Sequence, residues 1–165
     1  MNWNEAEKAA QTYIVWLLSK REYSKKQILE KLCTRFPNDK LGHVADFYEE
    51  KGWISDKRFC ECYIRDKVLI SGWGKQKIQF QIFQKGIDSD LFEESFAEVI
   101  EKDEILNVLK KLTKDKWKVL CVRAKRKEWT FWDAKQKLTS YLAGRGYDFN
   151  LIKMAQAEVC KEGEF

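Results

Sequence analysis

The sequence predicts an all-α protein built from tandem three-helix repeats, and three observations predict it. Proline occurs once, at Pro37, and glycine only eight times in 165 residues, so few positions interrupt a helix. The chain is rich in Lys, Glu, Gln, Leu and Ala, which enter helices at little cost. Apolar residues also recur three and four positions apart, in columns that repeat along the chain. Although 35% of residues are charged, 44% are hydrophobic and 14% aromatic, enough to fill several small cores.

The repeat emerges when 24–36 (SKKQILEKLCTRF), 74–87 (GKQKIQFQIFQKGI) and 134–147 (AKQKLTSYLAGRGY) are aligned. Ile28, Ile78 and Leu138 share a column, and Leu32, Ile82 and Leu142 share the next. Phe36, Gly86 and Gly146 then align, followed by Leu41, Leu91 and Leu151, and by Ala45, Ser95 and Ala155. The offset is 50 residues between the first two copies and 60 between the last two; Tyr13 and Tyr63 extend the first match upstream. The expected units are 1–52, 53–100, and 101–165 with a longer basic lead-in. Short helices cannot hide their apolar faces alone, so neighbouring units should stack or abut in an elongated arrangement that could curve.

Each element has a local cause. YIVWLL (13–18) gives the first helix its apolar face. Ser24, three before Gln27, forms a capping box ahead of Ile28, Leu29 and Leu32. Pro37 stops that helix, and a third carries Leu41, Val44, Ala45 and Tyr48 before Gly52. In the second unit, Ser55 or Asp56 can cap a helix bearing Phe59, Tyr63 and Ile64. The chain turns at Gly72-Trp73-Gly74, runs through Ile78 and Ile82, breaks at Gly86 and resumes from Asp88 or Asp90. The third unit begins within 101–127, and Thr130 with Asp133 caps the helix of Leu138 and Leu142.

Five cysteines, at 33, 60, 62, 121 and 160, are odd in number and irregular in spacing, which argues for a reducing compartment rather than a disulfide framework. Cys60-Glu61-Cys62 lacks the partner pair of a zinc site, and the single histidine, His43, cannot supply one. No apolar run approaches the ~20 residues that cross a bilayer, and the start MNWNEAEKAA does not read as a secretory signal, so a cytoplasmic protein is expected.

Charge is unevenly spread. Residues 110–127 hold nine Lys or Arg against one Asp, whereas 88–104 hold eight carboxylates against one Lys. A basic helix of this kind answers nucleic-acid phosphate or an acidic protein groove; its plainer role is solubility and pairing with those carboxylates. Trp117, Trp129, Phe131 and Trp132 could stack on bases, but aromatics at such spacing more often form a small core. Gly72-Trp73-Gly74-Lys75 falls short of a phosphate loop because Gln76 stands where Ser or Thr is required. His43 has no nucleophilic partner in sequence, and Asp88, Asp90, Glu93 and Glu94 match no calcium loop. The reading is a non-enzyme with no cofactor.

The second unit resembles the bacterial RecX family, regulators of the RecA recombinase. The residues that carry the resemblance are ISDKRF (54–59), Tyr63 with Arg65, Gly72-Trp73-Gly74, Ile78, Ile82 and Lys85-Gly86-Ile87. LLSKREYSKKQILEKL (17–32) adds to it, and the similarity extends over roughly 9–160, densest at 54–87 and sparsest at 105–160. Departures are Ser55 in place of an acidic residue beside Asp56, and Phe36-Pro37 where a Lys-Gly turn is usual. The resemblance implies tandem three-helix repeats without a catalytic centre. It implies binding along the helical groove of the RecA–DNA filament, restraining ATP hydrolysis, strand exchange and coprotease activity.

The expected partner surface is Lys57, Arg58, Arg65, Lys75, Lys77 and Lys85, with Arg123, Lys125 and Arg126 as a distal part. Tyr13, Ser24, Ile28, Leu32, Asp56, Phe59, Tyr63, Gly74, Ile78, Ile82, Gly86, Leu138, Leu142 and Gly146 are expected to be architectural. A monomer is expected, with no membrane association and weak direct DNA contact through 110–127. The rival reading is a helix-turn-helix-like protein that binds nucleic acid by itself.

Overall fold

The structure, a computed structural model, describes residues 3–161. These form nine α-helices and one π-helical turn, and no strand is found among them. The helices are α1 (Glu5–Leu18), α2 (Lys25–Arg35), α3 (Gly42–Glu50), α4 (Asp56–Arg65), α5 (Lys75–Phe83), α6 (Ser89–Val99), α7 (Lys102–Lys127), α8 (Phe131–Ala143) and α9 (Phe149–Val159), with the π-helical turn at Asp66–Ile70. The chain divides into two compact units. One comprises residues up to Tyr63 together with Gln81–Phe96, the other Ile64–Phe80 and the chain from Ala97 on. The middle helical triplet therefore contributes to both.

In the first unit, α1 to α3 enclose Ala10, Ile14, Leu17, Ile28, Leu32, Val44 and Ala45. The capping box read from Ser24 and Gln27 forms, the hydroxyl accepting from the Gln27 N–H at 3.2 Å. That hydroxyl also donates to the Lys85 carbonyl at 2.6 Å, so one buried group serves two segments 61 residues apart. Helix α2 ends at Arg35, just ahead of Pro37.

Of the two candidate caps of α4, Ser55 serves: its hydroxyl accepts from the Arg58 N–H at 3.3 Å. Asp56 instead turns to α2, where its carboxylate accepts the Lys25 N–H at 2.7 Å. Burial raises the Asp56 pKa despite that bond. A raised carboxyl pKa means that folding favours the protonated form and that its contribution falls as pH rises through the folded value. Asp56→Asn keeps the carbonyl acceptor without the charge. It should match or slightly exceed the parent at neutral pH in urea unfolding, while Asp56→Ala should lose about 1 kcal/mol. Equal losses in both variants would show that the charge itself stabilises the fold.

In the second unit, α7 packs against α8 and α9 around Leu109, Trp117, Leu120, Leu138, Leu142 and Ile152. Without proline or glycine, 102–127 runs as one helix of 26 residues, entered through a capping box of Glu101 and Glu104. Lys125, Arg126 and Lys127 occupy its last turn, where cations meet the negative end of the helix dipole. The Thr130–Asp133 box opens α8 and Asp148 caps α9.

The repeat columns are a packing pattern. Ile28, Ile78 and Leu138 are fully buried, as are Ile82 and Leu142. Ala45, Ser95 and Ala155 are also buried, whereas Leu91 and Leu151 are half-buried beside buried Leu41. Gly86 and Gly146 share a left-handed backbone, φ 88° and 89°, while Phe36 reaches its turn at φ −129° and leaves the stop to Pro37.

Gly74 matters for a different reason. Its N–H donates to the Arg145 carbonyl at 2.7 Å, and a Cβ there would strike the Gly146 carbonyl and the Tyr147 amide. Arg145 also donates to the Ser71 carbonyl at 2.5 Å, and the Tyr147 hydroxyl to that of Gly72 at 3.3 Å. Burial pushes the Tyr147 phenol up to about 12. The Gly-Trp-Gly turn is thus a backbone-to-backbone joint.

Candidate interaction surface

Each unit carries its own set of cations. In the first unit, Lys57 is exposed with its ammonium 3.1 Å from the Glu94 carboxylate. Arg58 is engaged internally: its guanidinium pairs with Glu22 at 3.1 Å and donates to the Gly52 and Trp53 carbonyls at 2.8 and 2.9 Å. This fork holds the α3–α4 connection. Lys85 lies over the Tyr63 ring, 5.6 Å from its centroid, and Tyr63 rests against Phe59.

In the second unit, Arg65 and Lys75 are exposed and Lys77 is half-buried. Lys77 sits 4.6 Å from the Trp73 centroid and Lys67 4.8 Å from it, so one indole gathers two ammonium groups. Lys67 does not stand out in the sequence, because it lies in the π-helical turn that changes the register after Arg65. That turn also leaves Ile70 81% exposed, a feature regular helical periodicity does not predict.

Arg123, Lys125 and Arg126 are exposed near the end of α7. Further back, Lys110, Lys111, Lys114 and Lys118 border an open groove of about 480 Å³ whose lining includes Trp117 and Val159. Lys110 pairs with Glu158 at 3.0 Å. Of the four aromatic residues read beside this stretch, Trp117 is buried and meets Phe131 edge-on at 5.6 Å. Trp129 and Phe131 pack against the same core, whereas Trp132 is 67% exposed.

The residues weighed for catalysis have other contacts. The Gly74 and Gln76 amides, which a phosphate loop would aim at its ligand, donate to the Arg145 and Gly146 carbonyls. His43 is exposed, stacks on Trp3 and lies 2.8 Å from the Glu7 carboxylate. A hydrogen bond from the Asn4 backbone, then His43, holds Glu7 below its ordinary pKa. Cys60 is buried, which pushes its thiol up to about 11 and away from the nucleophilic thiolate. Among the described residues, no cluster of three or more His, Cys, Asp or Glu is placed to hold a metal, and no helix is long and apolar enough to cross a membrane.

Comparison with known proteins adds independent findings. Residues 55–95 match the family model for the second three-helix domain of RecX. The chain is 27% identical over 128 residues to the Regulatory protein RecX of Clostridium perfringens strain 13, covering 77% of this chain and 57% of that protein. It is 26% identical over 153 residues to the Regulatory protein RecX of Chlorobium phaeobacteroides, covering 89% of this chain and 91% of that protein. Against the first clostridial relatives, the chain spans 57% to 61% of their length. The crystal structure of RecX from Lactobacillus salivarius superposes with a TM-score of 0.77 at 17% identity, over 94% of this chain and 97% of that one. A crystal structure of regulatory protein RecX gives 0.79 at 16% identity, over 93% and 74%. The helical fold, the capped repeats and the matched central domain agree: over most of its length the chain is similar to RecX proteins, and residues 55–95 match their second three-helix domain.

Proposed function

We propose that this protein is a non-enzymatic, cytoplasmic regulator of the RecA recombinase. It acts as a monomer of three repeats, 1–52, 53–100 and 101–165, that binds the RecA–DNA filament along its helical groove. Its effect is inhibitory, restraining ATP hydrolysis, strand exchange and coprotease activity. The observation that carries this reading is the match of 55–95 to the second RecX domain. The exposed cations Lys57, Arg65, Lys75, Arg123, Lys125 and Arg126 and the half-buried Lys77 and Lys85 supply contacts, with 110–127 adding weak DNA contact. Arg58 contributes through the connection it holds, since its guanidinium already has three partners.

The test is ATP hydrolysis by the host's RecA on single-stranded DNA during titration with this protein, with filament binding recorded in the same samples. Saturable binding with inhibition near stoichiometric protein is the expected result. Folded protein that neither binds nor changes hydrolysis refutes the assignment.

A further inference from the structure

Helix α1 is apolar on two faces, and its core accounts for only one of them. Ala10, Ile14 and Leu17 are buried, whereas Trp16 is 54% exposed and Tyr13 only half-buried. The two outer rings lie three residues apart and nearly parallel, 13° between planes and 6.0 Å between centroids. Phe36 at the end of α2 meets Tyr13 edge-on. Together with Ala9, Thr12 and Arg35 these residues line an open groove of about 570 Å³, and no carboxylate is among its lining residues. Cations flank the rings. The Arg35 guanidinium is 5.1 Å from the Tyr13 centroid and the Lys20 ammonium 5.7 Å from that of Trp16. Lys31 lies one turn before Arg35 on the same stripe of α2.

We infer that this groove of α1 and α2 is a binding site for single-stranded nucleic acid, with a base stacked on the Trp16–Tyr13 shelf and the flanking phosphates held by Arg35 and Lys20. Flat exposed rings need a partner with a flat face, and an unstacked base offers one in any sequence. Flanking cations without a lining carboxylate select an anionic chain. Duplex DNA hides its base faces and does not fit. The site is independent of the recombinase reading and lies apart in sequence from the 110–127 basic stretch.

Anisotropy of fluorescein-labelled oligo(dT), titrated with the full chain at several salt concentrations, tests it without RecA. Saturable binding is expected, stronger than to a duplex of equal length. Trp16→Ala should weaken it about tenfold or more, and Trp16→Tyr should retain most of it. Arg35→Ala should lower the log–log salt slope by about 0.7. Trp132→Ala, which removes an exposed indole elsewhere, should leave binding unchanged; urea midpoints of all variants report folding. The inference is overturned if oligo(dT) does not bind, or if Trp16→Ala binds as well as the parent. Displacement by polyglutamate at equal charge would assign the groove to an acidic peptide. Loss of a dimer in Trp16→Ala by light scattering would assign it to a second copy. Either result also overturns it.

Discussion

Gly146→Ala is expected to lower the unfolding free energy by about 3 kcal/mol or more, while Gly52→Ala costs only about 1 kcal/mol. Both glycines have a left-handed backbone, φ 89° and 72°, so the intrinsic strain on an alanine is similar. What differs is the space. A Cβ at Gly52 meets nothing within 4 Å, whereas at Gly146 it meets the backbone and Cβ of Lys77. Gly74→Ala separates the two terms, since it carries no left-handed strain yet collides with Gly146 and Tyr147. Urea unfolding followed by circular dichroism measures all three. Equal costs at Gly52 and Gly146 would show that the joint yields and that backbone strain alone counts.

Reversing three charges together, Arg123→Glu, Lys125→Glu and Arg126→Glu, should weaken filament binding about a hundredfold. Each exposed pair is worth ~0.5 kcal/mol, and reversal replaces attraction with repulsion of similar size, so three sites sum to ~3 kcal/mol. Single reversals should each have a small effect. All three side chains are exposed, so the helical signal of the triple variant should match the parent, although the helix end loses favourable dipole contacts. The measurement is filament affinity against salt concentration. Unchanged affinity with an unchanged salt slope would remove this part of α7 from the partner surface.

The capping pairs Ser24–Gln27 and Thr130–Asp133 were legible because a cap and its partner lie three residues apart, where side chain and amide meet by helical geometry alone. The choice between Ser55 and Asp56 stayed open for the complementary reason. Two adjacent residues compete for one cap, and the winner depends on whether another helix end is near enough to use the loser. Among the candidate contacts, charge predicted exposure except at the half-buried Lys77 and Lys85, and the engagement of Arg58 was not legible, because Glu22 lies 36 residues away in sequence. Trp117 and Trp132 look alike in the sequence; the position of each on its helix puts one in the core and the other in solvent. The Tyr13–Trp16 shelf could have been suspected from an apolar helix too rich for one face.

The sequence by itself determined the all-helical class, the capped starts of α2 and α8, the internal repeat and the buried columns. These rest on interactions within a turn or two of the chain, or on a period that burial imposes. Only the tertiary structure decided which acid serves which helix, which cation is already engaged, and why Gly74 and Gly146 must remain glycine. Those outcomes depend on contacts between segments tens of residues apart, whose geometry is fixed only once the helices have packed.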